Sequence, residues 1–228
     1  MSQKTTSTIL PACPVSEPSC VVIDELAQLR DHLQQLEKEA LTDALTGLFN
    51  YRHFEQMLAQ EMERVRRSHQ PLALLLADID HFKRFNDLHG HDQGNVALIQ
   101  VAQLIMAEIR QLDIACRFGG EEFVILLPAT DIAQALAVAE RIRCRIERHG
   151  EKLAENLTVS IGIAVYTPTM NATGREFLVS ADKMLYAAKH QGRNRVVGPQ
   201  LDPPLASHFV TAEEKGALYG ASDTDATE

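Results

Sequence analysis

The chain has 228 residues, a formal net charge of −9 and 45% hydrophobic residues, which suits one globular domain with appended segments. The negative charge disfavours nonspecific binding to nucleic acid or to an anionic membrane. The longest apolar runs, such as residues 72–77, are too short to span a bilayer, and we expect no secretory signal. The four cysteines fit no metal-ligand spacing, so we expect free thiols and a cytoplasmic protein.

The N-terminal part of the chain divides into two segments. Residues 1–20 are rich in Ser, Thr and Pro, and we expect disorder there. Residues 21–42 are predicted to form a stalk helix, because apolar residues alternate at spacings of four and three: Val22, Leu26, Leu29, Leu33, Leu36 and Ala40. The polar residues between them favour a dimeric coiled coil over the alternative, an amphipathic helix packed on its own domain.

The remaining chain alternates between helical and strand patterns. The predicted elements are a helix over 51–67, a buried strand over 72–77 that ends at Asp78 and Asp80, a polar connector over 81–87, a helix over 93–109, a hairpin around Gly119 and Gly120, a helix from Asp131 to about 148, a strand over 157–166, a helix over 177–191 ended by Gly192, and a short edge strand at 195–197. This order predicts an α/β fold with helices over a central sheet, followed by a mobile tail over 199–228.

The hairpin carries the run Arg-Phe-Gly-Gly-Glu-Glu-Phe over residues 117–123. Two glycines between strand-like runs predict a tight turn. The adjacent carboxylates of Glu121 and Glu122 repel each other, and a cation bound nearby would offset this repulsion. The alternative interpretation is a solvated acidic hairpin. If the strand that ends at Asp78 lies beside this hairpin, three carboxylates converge on a Mg²⁺ ion shared with substrate phosphates. Lys83, Lys189 and Arg193 are candidates for holding those phosphates.

These motifs together resemble the GGDEF family of diguanylate cyclases. The resemblance runs from residue 43 to about 197 and covers residues 43–50, 78–87, 90–94, 117–123, 182–189 and 192–195. It implies a catalytic domain over 43–198 with the five-stranded sheet of nucleotidyl cyclases and polymerase palms. It also implies a homodimeric enzyme that uses Mg²⁺ or Mn²⁺ to condense two GTP into cyclic di-GMP and two pyrophosphates.

The resemblance also places functional residues. It implies that the metal is bound by the Asp78 side chain, the Ile79 carbonyl, Glu121 and Glu122, of which the three carboxylates are the catalytic candidates. It implies that GTP is bound by Phe82, Lys83, Asn86, Asn95, Lys189 and Arg193, with Asn86 reading guanine. Asp80 is expected to shape its loop, and a contact with the metal, ranked below that of Asp78, is the alternative. A hard metal prefers oxygen, so His81, His89 and His91 are expected to be structural or solvated.

Asn95 departs from the family pattern, which has an aspartate against guanine. A carboxylate accepts from both donors of guanine, whereas an amide accepts at one atom and donates at the other. An amide therefore suits the pairing edge of adenine better, and a cyclase with an adenine-containing product is an alternative. We nevertheless expect GTP, because Asn86 supplies a guanine contact.

A second motif, Arg110-Gln-Leu-Asp113, matches the family's product-inhibition site, to which Arg141 would contribute. Arginine suits bidentate phosphate and guanine contacts, and aspartate suits guanine N–H groups. A non-catalytic receptor for cyclic di-GMP is therefore a further alternative. No sensor domain is recognised before Asp43, so activation is expected from a partner protein acting on the stalk helix, from assembly or from product feedback.

Overall fold

The structure is a computed structural model that describes residues 21–150 and 157–199. Its helices are α1 Val21–Leu41, α2 Tyr51–Ser68, α3 Phe82–His89, α4 His91–Glu108, α5 Ile132–Gly150 and α6 Gly174–His190. Its strands are β1 Leu72–Ile79, β2 Ile114–Gly119, β3 Glu122–Pro128, β4 Val159–Tyr166 and β5 Val196–Val197. The predicted disordered segment 1–20 and the predicted tail from residue 200 onward lie outside the described residues.

The strands form one five-stranded mixed sheet in the order β2-β3-β1-β4-β5. Strand β1 is at its centre and pairs antiparallel with both β3 and β4, while β5 pairs parallel with β4 at one edge. Every residue of β1 is buried, which explains why its sequence is a continuous apolar run rather than an alternating one. The predicted fold class, a five-stranded sheet flanked by helices, is therefore confirmed.

Helices cover both faces of the sheet and form two cores. Helices α3, α4 and α5 cover one face, where alternate β1 residues such as Leu75 pack among Ile105 and Ile142. Helices α2 and α6 cover the other face, where Leu74 packs among residues that include Phe54 and Phe177. Each fully buried side chain of this size contributes about 1.5–3 kcal/mol relative to exposure, so the two cores stabilise the sheet from both faces.

Two predictions about local structure need correction. The segment 81–87 is not a connector, because α3 begins at Phe82; the Phe82 and Phe85 rings lie three positions apart, are both buried, and stack with centroids 6.1 Å apart. Helix α6 begins at Gly174, earlier than predicted. Thr173 and Glu176 form a capping box there, in which each side chain accepts a hydrogen bond from the other's backbone N–H.

Helix α1 presents its leucines to solvent. The exposed fraction is 42% for Leu26 and 57–59% for Leu29, Leu33 and Leu36. The end of α1 is tied to the domain by Asn50, whose Nδ2 donates to the Ala40 carbonyl at 2.8 Å while its Oδ1 caps α2. The dimeric stalk stays a prediction.

Within residues 21–150 and 157–199, no helix is long and apolar enough to cross a membrane.

Candidate active site

An acidic edge forms where β1 ends beside β3. Asp78 lies directly opposite Glu122 in the ladder, and the Ile79 N–H donates to the Glu121 carbonyl at 3.3 Å. Burial is the main cause of a raised pKa for both the Asp78 and the Glu122 carboxyls, and their mutual repulsion adds to the shift of Glu122. The structure thus brings together the three carboxylates predicted from the sequence.

Helix α6 supplies the positive charge at this edge. Lys189, in its last turn, places Nζ 2.8 Å from Asp78 Oδ2, and only 9% of the Asp78 side chain is exposed. Asp182 lies seven residues earlier, on the same face of the helix, and its charge further raises the pKa of Glu122. The sequence motif over residues 182–189 did not by itself indicate a role for Asp182, although the spacing of seven residues from Lys189 was an available signal.

The donor atoms at the acidic edge fit a hard divalent cation. The carboxylates of Asp78 and Glu122 are oxygen donors of the kind that Mg²⁺ prefers, and the charge of Lys189 partly balances theirs. Over the described ranges, no cluster of three or more His, Cys, Asp or Glu side chains has the geometry of a ready metal site. The edge therefore has oxygen donors of the kind that a hard metal prefers, while Lys189 pairs with the Asp78 carboxylate.

Arg117 holds the Gly-Gly turn in place. Its Nε and Nη2 donate to the Gly120 carbonyl at 3.0 and 2.8 Å, and its Nη1 lies 3.2 Å from Asp43 Oδ2. Gly120 has φ +51°, a conformation that favours glycine. The sequence patterns did not indicate a role for Arg117, and its position two residues before Gly119 was the available signal. The turn that carries Glu121 is thus fastened to the segment that follows α1.

The N-terminus of α3 is a second part of the site. Its N-cap residue, His81, has φ 57° and makes no side-chain capping hydrogen bond. The first backbone N–H groups of a helix have no intrahelical partner and attract anions, phosphate above all. The Phe82 side chain is buried in the core, so only its backbone is available to a ligand, whereas Lys83 is exposed.

The loop after α6 presents Arg193. This residue has φ 60°, its side chain is exposed, and no side-chain partner for it is found in the described part of the chain. Asp80 reaches the same loop: its carboxylate accepts from Thr158 Oγ1 and Ser160 Oγ, both at 2.7 Å, and from the Asn194 N–H at 3.0 Å. Asp80 is thereby engaged in joining β1, β4 and this loop, which agrees with a loop-shaping role.

Asn86 and Asn95 lie on consecutive helices. A Cβ at position 94 would lie 1.8 Å from Asn86 Oδ1, so the Asn86 side chain needs glycine at Gly94. Asn86 Oδ1 is buried and accepts no hydrogen bond from the described residues, which is costly for a polar atom. Asn95 is exposed near the start of α4.

The predicted inhibitory residues lie at the opposite end of β2 from the Gly-Gly turn. The Arg110 N–H donates to Asp113 Oδ2 at 2.7 Å, and burial raises the pKa of the Asp113 carboxyl against the charges of Arg110 and Arg141. Arg141 itself pairs with Glu108, Nε to Oε2 at 2.5 Å, and Arg145 takes the other oxygen at 2.5 Å. The structure therefore places Arg141 near Asp113 but pairs it with a buried glutamate.

Comparison with known proteins identifies relatives of this arrangement. Residues 40–195 match the family model described as "Diguanylate cyclase, GGDEF domain". The chain is 40% identical over 176 residues to the response regulator PleD of Caulobacter vibrioides. That alignment covers 75% of this chain but only 38% of PleD, so the chain spans less than half the length of this relative.

Solved structures with the same fold lead to the same family. The coiled coil and GGDEF domain of DgcB from Caulobacter crescentus, in complex with c-di-GMP, is 32% identical, with a TM-score of 0.71 over 78% of this chain and 95% of that one. Diguanylate cyclase SiaD of Pseudomonas aeruginosa, in complex with its activator SiaC, is also 32% identical, with a TM-score of 0.67 over 78% of this chain and 72% of that one. With its family signature, its sheet and its acidic edge in agreement, this chain belongs to the GGDEF family of diguanylate cyclases.

Proposed function

We propose that this chain condenses two GTP molecules into cyclic di-GMP and two pyrophosphates. The observation that carries the proposal is the pairing of Asp78 with Glu122 across two strands, beside a turn held by Arg117 and a helix that brings Lys189. In each of two equivalent steps, the 3′-oxygen of one GTP bonds to the α-phosphorus of the other. The bond to the bridging oxygen breaks and pyrophosphate leaves, while the hydroxyl proton passes to a base, for which Glu122 is the candidate.

The carboxylates would bind the metal, Mg²⁺ or Mn²⁺. Asp78 and Glu122 are its side-chain ligands in this proposal, with Glu121 and the Ile79 carbonyl as further oxygen donors. When bound, the metal neutralises charge on the triphosphate. Lys189 would exchange Asp78 for a phosphate oxygen as its partner. Arg193, Lys83 and the free N–H groups of α3 complete a positive cradle for the remaining phosphate charge.

Guanine fits the proposed base contact. Asn86 Oδ1 accepts no hydrogen bond from the residues that the structure describes, and guanine offers two donors, at N1 and at the 2-amino group. Rotating the amide about its last side-chain torsion, which has a broad minimum, would turn this oxygen from Gly94 toward the base. The 6-amino group of adenine is also a donor, so this acceptor by itself fits either base, and the preference for GTP rests on the family match.

The direct test combines substitution at the acidic edge with product identification. Wild type and the double variant Glu121→Ala/Glu122→Ala are incubated with Mg²⁺ and GTP, ATP or both, and products are identified by mass. The double variant should fold and lose turnover at least a hundredfold, whereas Glu63→Ala, an exposed carboxylate on α2, should keep it. A folded double variant with wild-type turnover contradicts the site. Binding of cyclic di-GMP without turnover by wild type indicates a receptor, and an adenine-containing product indicates the alternative cyclase.

Dimerisation through α1 is the proposed control point. Two GTP-loaded domains must face each other, and α1 offers an exposed leucine seam joined to the domain at Ala40 and Asn50. Each buried leucine contributes about 1.5–3 kcal/mol, but association and ordering cost several kcal/mol, so the dimer should be weak. A partner protein that fastens two α1 helices together would then activate the enzyme. The structure of the related SiaD with its activator SiaC supports activation by a partner protein.

The dimer proposal is tested through concentration dependence. Changing Leu29, Leu33 and Leu36 to Ser should lower specific activity most at low protein concentration, with folding and GTP binding kept. Fusing an unrelated parallel coiled coil in phase before Asp43 should restore turnover. A triple variant that is fully active as a monomer, by mass in solution, would remove α1 from the mechanism.

Product inhibition is proposed at Arg110, Asp113 and Arg141. The complex of the related DgcB domain with c-di-GMP supports a product site in this fold. Arg110→Ala should weaken product binding and relieve inhibition, because it removes a guanidinium that suits bidentate phosphate contacts. Gln111→Ala, an exposed change in the same turn, is the matched control. An inhibition curve that Arg110→Ala leaves unchanged would reject this site.

A further inference from the structure

The loop between α6 and β5 has an unusual backbone. Gly192, Arg193 and Asn194 have φ values of 113°, 60° and 46°, so two consecutive non-glycine residues occupy the left-handed region. Such conformations are disfavoured for residues with a Cβ and persist only where the surrounding structure holds them. The loop must therefore be fastened by contacts outside itself.

The backbone of the loop is fastened at two points. The Asn194 N–H donates to Asp80 Oδ2 at 3.0 Å, and the Arg193 N–H donates to the Ala188 carbonyl at 3.1 Å. The first contact joins the loop to the end of β1, and the second joins it to the last turn of α6. The end of β1 carries Asp78 and the last turn of α6 carries Lys189, so these contacts fix the position of the loop relative to the acidic edge.

The Asn194 side chain is held by helix α5. Its Oδ1 accepts from Arg143 Nη1 at 2.8 Å, and its Nδ2 donates to Glu147 Oε1 at 2.6 Å. Arg143 Nη1 also pairs with Glu147 Oε2 at 2.8 Å, which closes a three-residue ring. Only 15% of the Arg143 side chain is exposed, and the hydrogen bond from Asn194 is the largest cause of the lowered pKa of Glu147. We call Arg143, Glu147 and Asn194 the α5 clamp.

Arg193 directly precedes Asn194 in the loop but is not part of the α5 clamp. The Arg193 guanidinium is exposed, and no hydrogen bond or ion pair involving it is found among residues 21–150 and 157–199. We infer that the α5 clamp is a positioning device, which holds the strained loop so that Arg193 projects toward the GTP phosphates. This inference rests on the proposed function, in which Arg193 binds phosphate.

The physical benefit is a smaller ordering cost on binding. Arginine has many rotamers, and a mobile loop beneath it would add backbone freedom that binding must remove. A clamp outside the substrate site removes the backbone part of that cost in advance. Losing it should weaken nucleotide binding about threefold to tenfold, since the guanidinium itself remains.

The test measures binding, not turnover. The probe is 3′-deoxy-GTP with Mg²⁺, which lacks the attacking hydroxyl, and its affinity is measured by calorimetry on the full chain. Glu147→Ala removes the acceptor of Asn194 from a partly exposed helix position, so it should fold. Glu140→Ala is the matched control, because Glu140 pairs with Arg143 at 2.7 Å on the same helix but makes no contact with Asn194 in the described structure. Asn194→Gly removes the amide while tolerating the backbone conformation.

A double-mutant cycle separates positioning from general stability. Glu147→Ala and Asn194→Gly should each weaken binding in the wild-type background and have little effect on an Arg193→Ala background, since no guanidinium then needs placing. Glu147→Gln, which keeps an acceptor, should bind better than Glu147→Ala.

Equal losses in both backgrounds, or an effect of Glu140→Ala as large as that of Glu147→Ala, would overturn the clamp while leaving the proposed function intact. If Arg193→Ala itself binds the probe like wild type, the clamp falls because the phosphate role of Arg193 is wrong. Coupled losses restricted to the Arg193 background support it.

Discussion

Arg117 offers the sharpest test of how the active-site turn is supported. Its guanidinium bonds the Gly120 carbonyl with two N–H groups and reaches Asp43 with a third, and only 16% of its side chain is exposed. Asp43 also accepts from the Thr46 N–H and Oγ1 at 2.9 and 2.7 Å. Arg117→Ala therefore removes one end of a bridge between the segment after α1 and the Gly-Gly turn.

The expected magnitude follows from these contacts. The charge-assisted bonds to the Gly120 carbonyl should contribute about 1.5–3 kcal/mol, and the partly exposed ion pair about 1 kcal/mol or less. Arg117→Ala should thus lower the free energy of unfolding by about 2–4 kcal/mol. Turnover should fall about a hundredfold even in the folded variant, because an unsupported turn misplaces Glu121 and Glu122. Arg117→Lys should recover little of either, since it lacks the planar fork.

The effect should also depend on pH. Burial alone would raise the pKa of the Asp43 carboxyl, but hydrogen bonds from Thr46 and the charge of Arg117 outweigh burial and lower it below 3.8. A carboxyl with a lowered folded-state pKa stabilises the protein at neutral pH, and this stabilisation is lost as pH falls through the folded value. The difference between wild type and Arg117→Ala should therefore be full at pH 7 and shrink below about pH 4.

Urea unfolding followed by circular dichroism measures the stability change, and initial rates with GTP and Mg²⁺ measure turnover. Arg52→Ala is the control, because Arg52 is exposed on α2 and no hydrogen bond or ion pair of its side chain is found in the described part of the chain, and it should change stability by less than about 0.5 kcal/mol. Wild-type stability and turnover in Arg117→Ala would refute the reasoning, as would an equal loss in Arg52→Ala.

Three further measurements follow from the structure. Lys189→Met should raise the affinity for Mn²⁺ in the absence of nucleotide about tenfold, because Asp78 loses its partner, and it should weaken nucleotide binding. Electron paramagnetic resonance measures the Mn²⁺ affinity, and an unchanged value would refute the pairing. Asn95→Asp should raise the preference for GTP over ATP several-fold in competition, because a carboxylate accepts from both guanine donors, and an unchanged ratio would show that the side chain does not face the base. Cys116 should resist alkylation at pH 8 in native protein but not in urea, since burial raises its pKa to about 12; rapid native modification, by peptide mass, would contradict this.

Local patterns in the sequence were sufficient for most of the fold. The apolar run of β1 predicted a central strand buried on both faces, and the paired glycines predicted the β2–β3 turn, because each pattern reflects burial or backbone constraints within a few residues. The segment containing α3 was missed, since two phenylalanines in eight residues are too few to establish a helical period. The family motifs identified the candidate carboxylates, because these motifs lie at the ends of strands.

The contacts that give the site its chemistry were decided by tertiary structure alone. Lys189 meets Asp78 because α6 ends where β1 ends, and Arg117 meets Asp43 across 74 positions of sequence. Arg143 likewise reaches Asn194 across 51 positions. A charged residue has many possible partners of opposite charge elsewhere in the sequence. At such separations, the spacing along the sequence does not indicate which of them it contacts. Only the packing of helices on the sheet, driven by apolar burial elsewhere, selects which charges become neighbours.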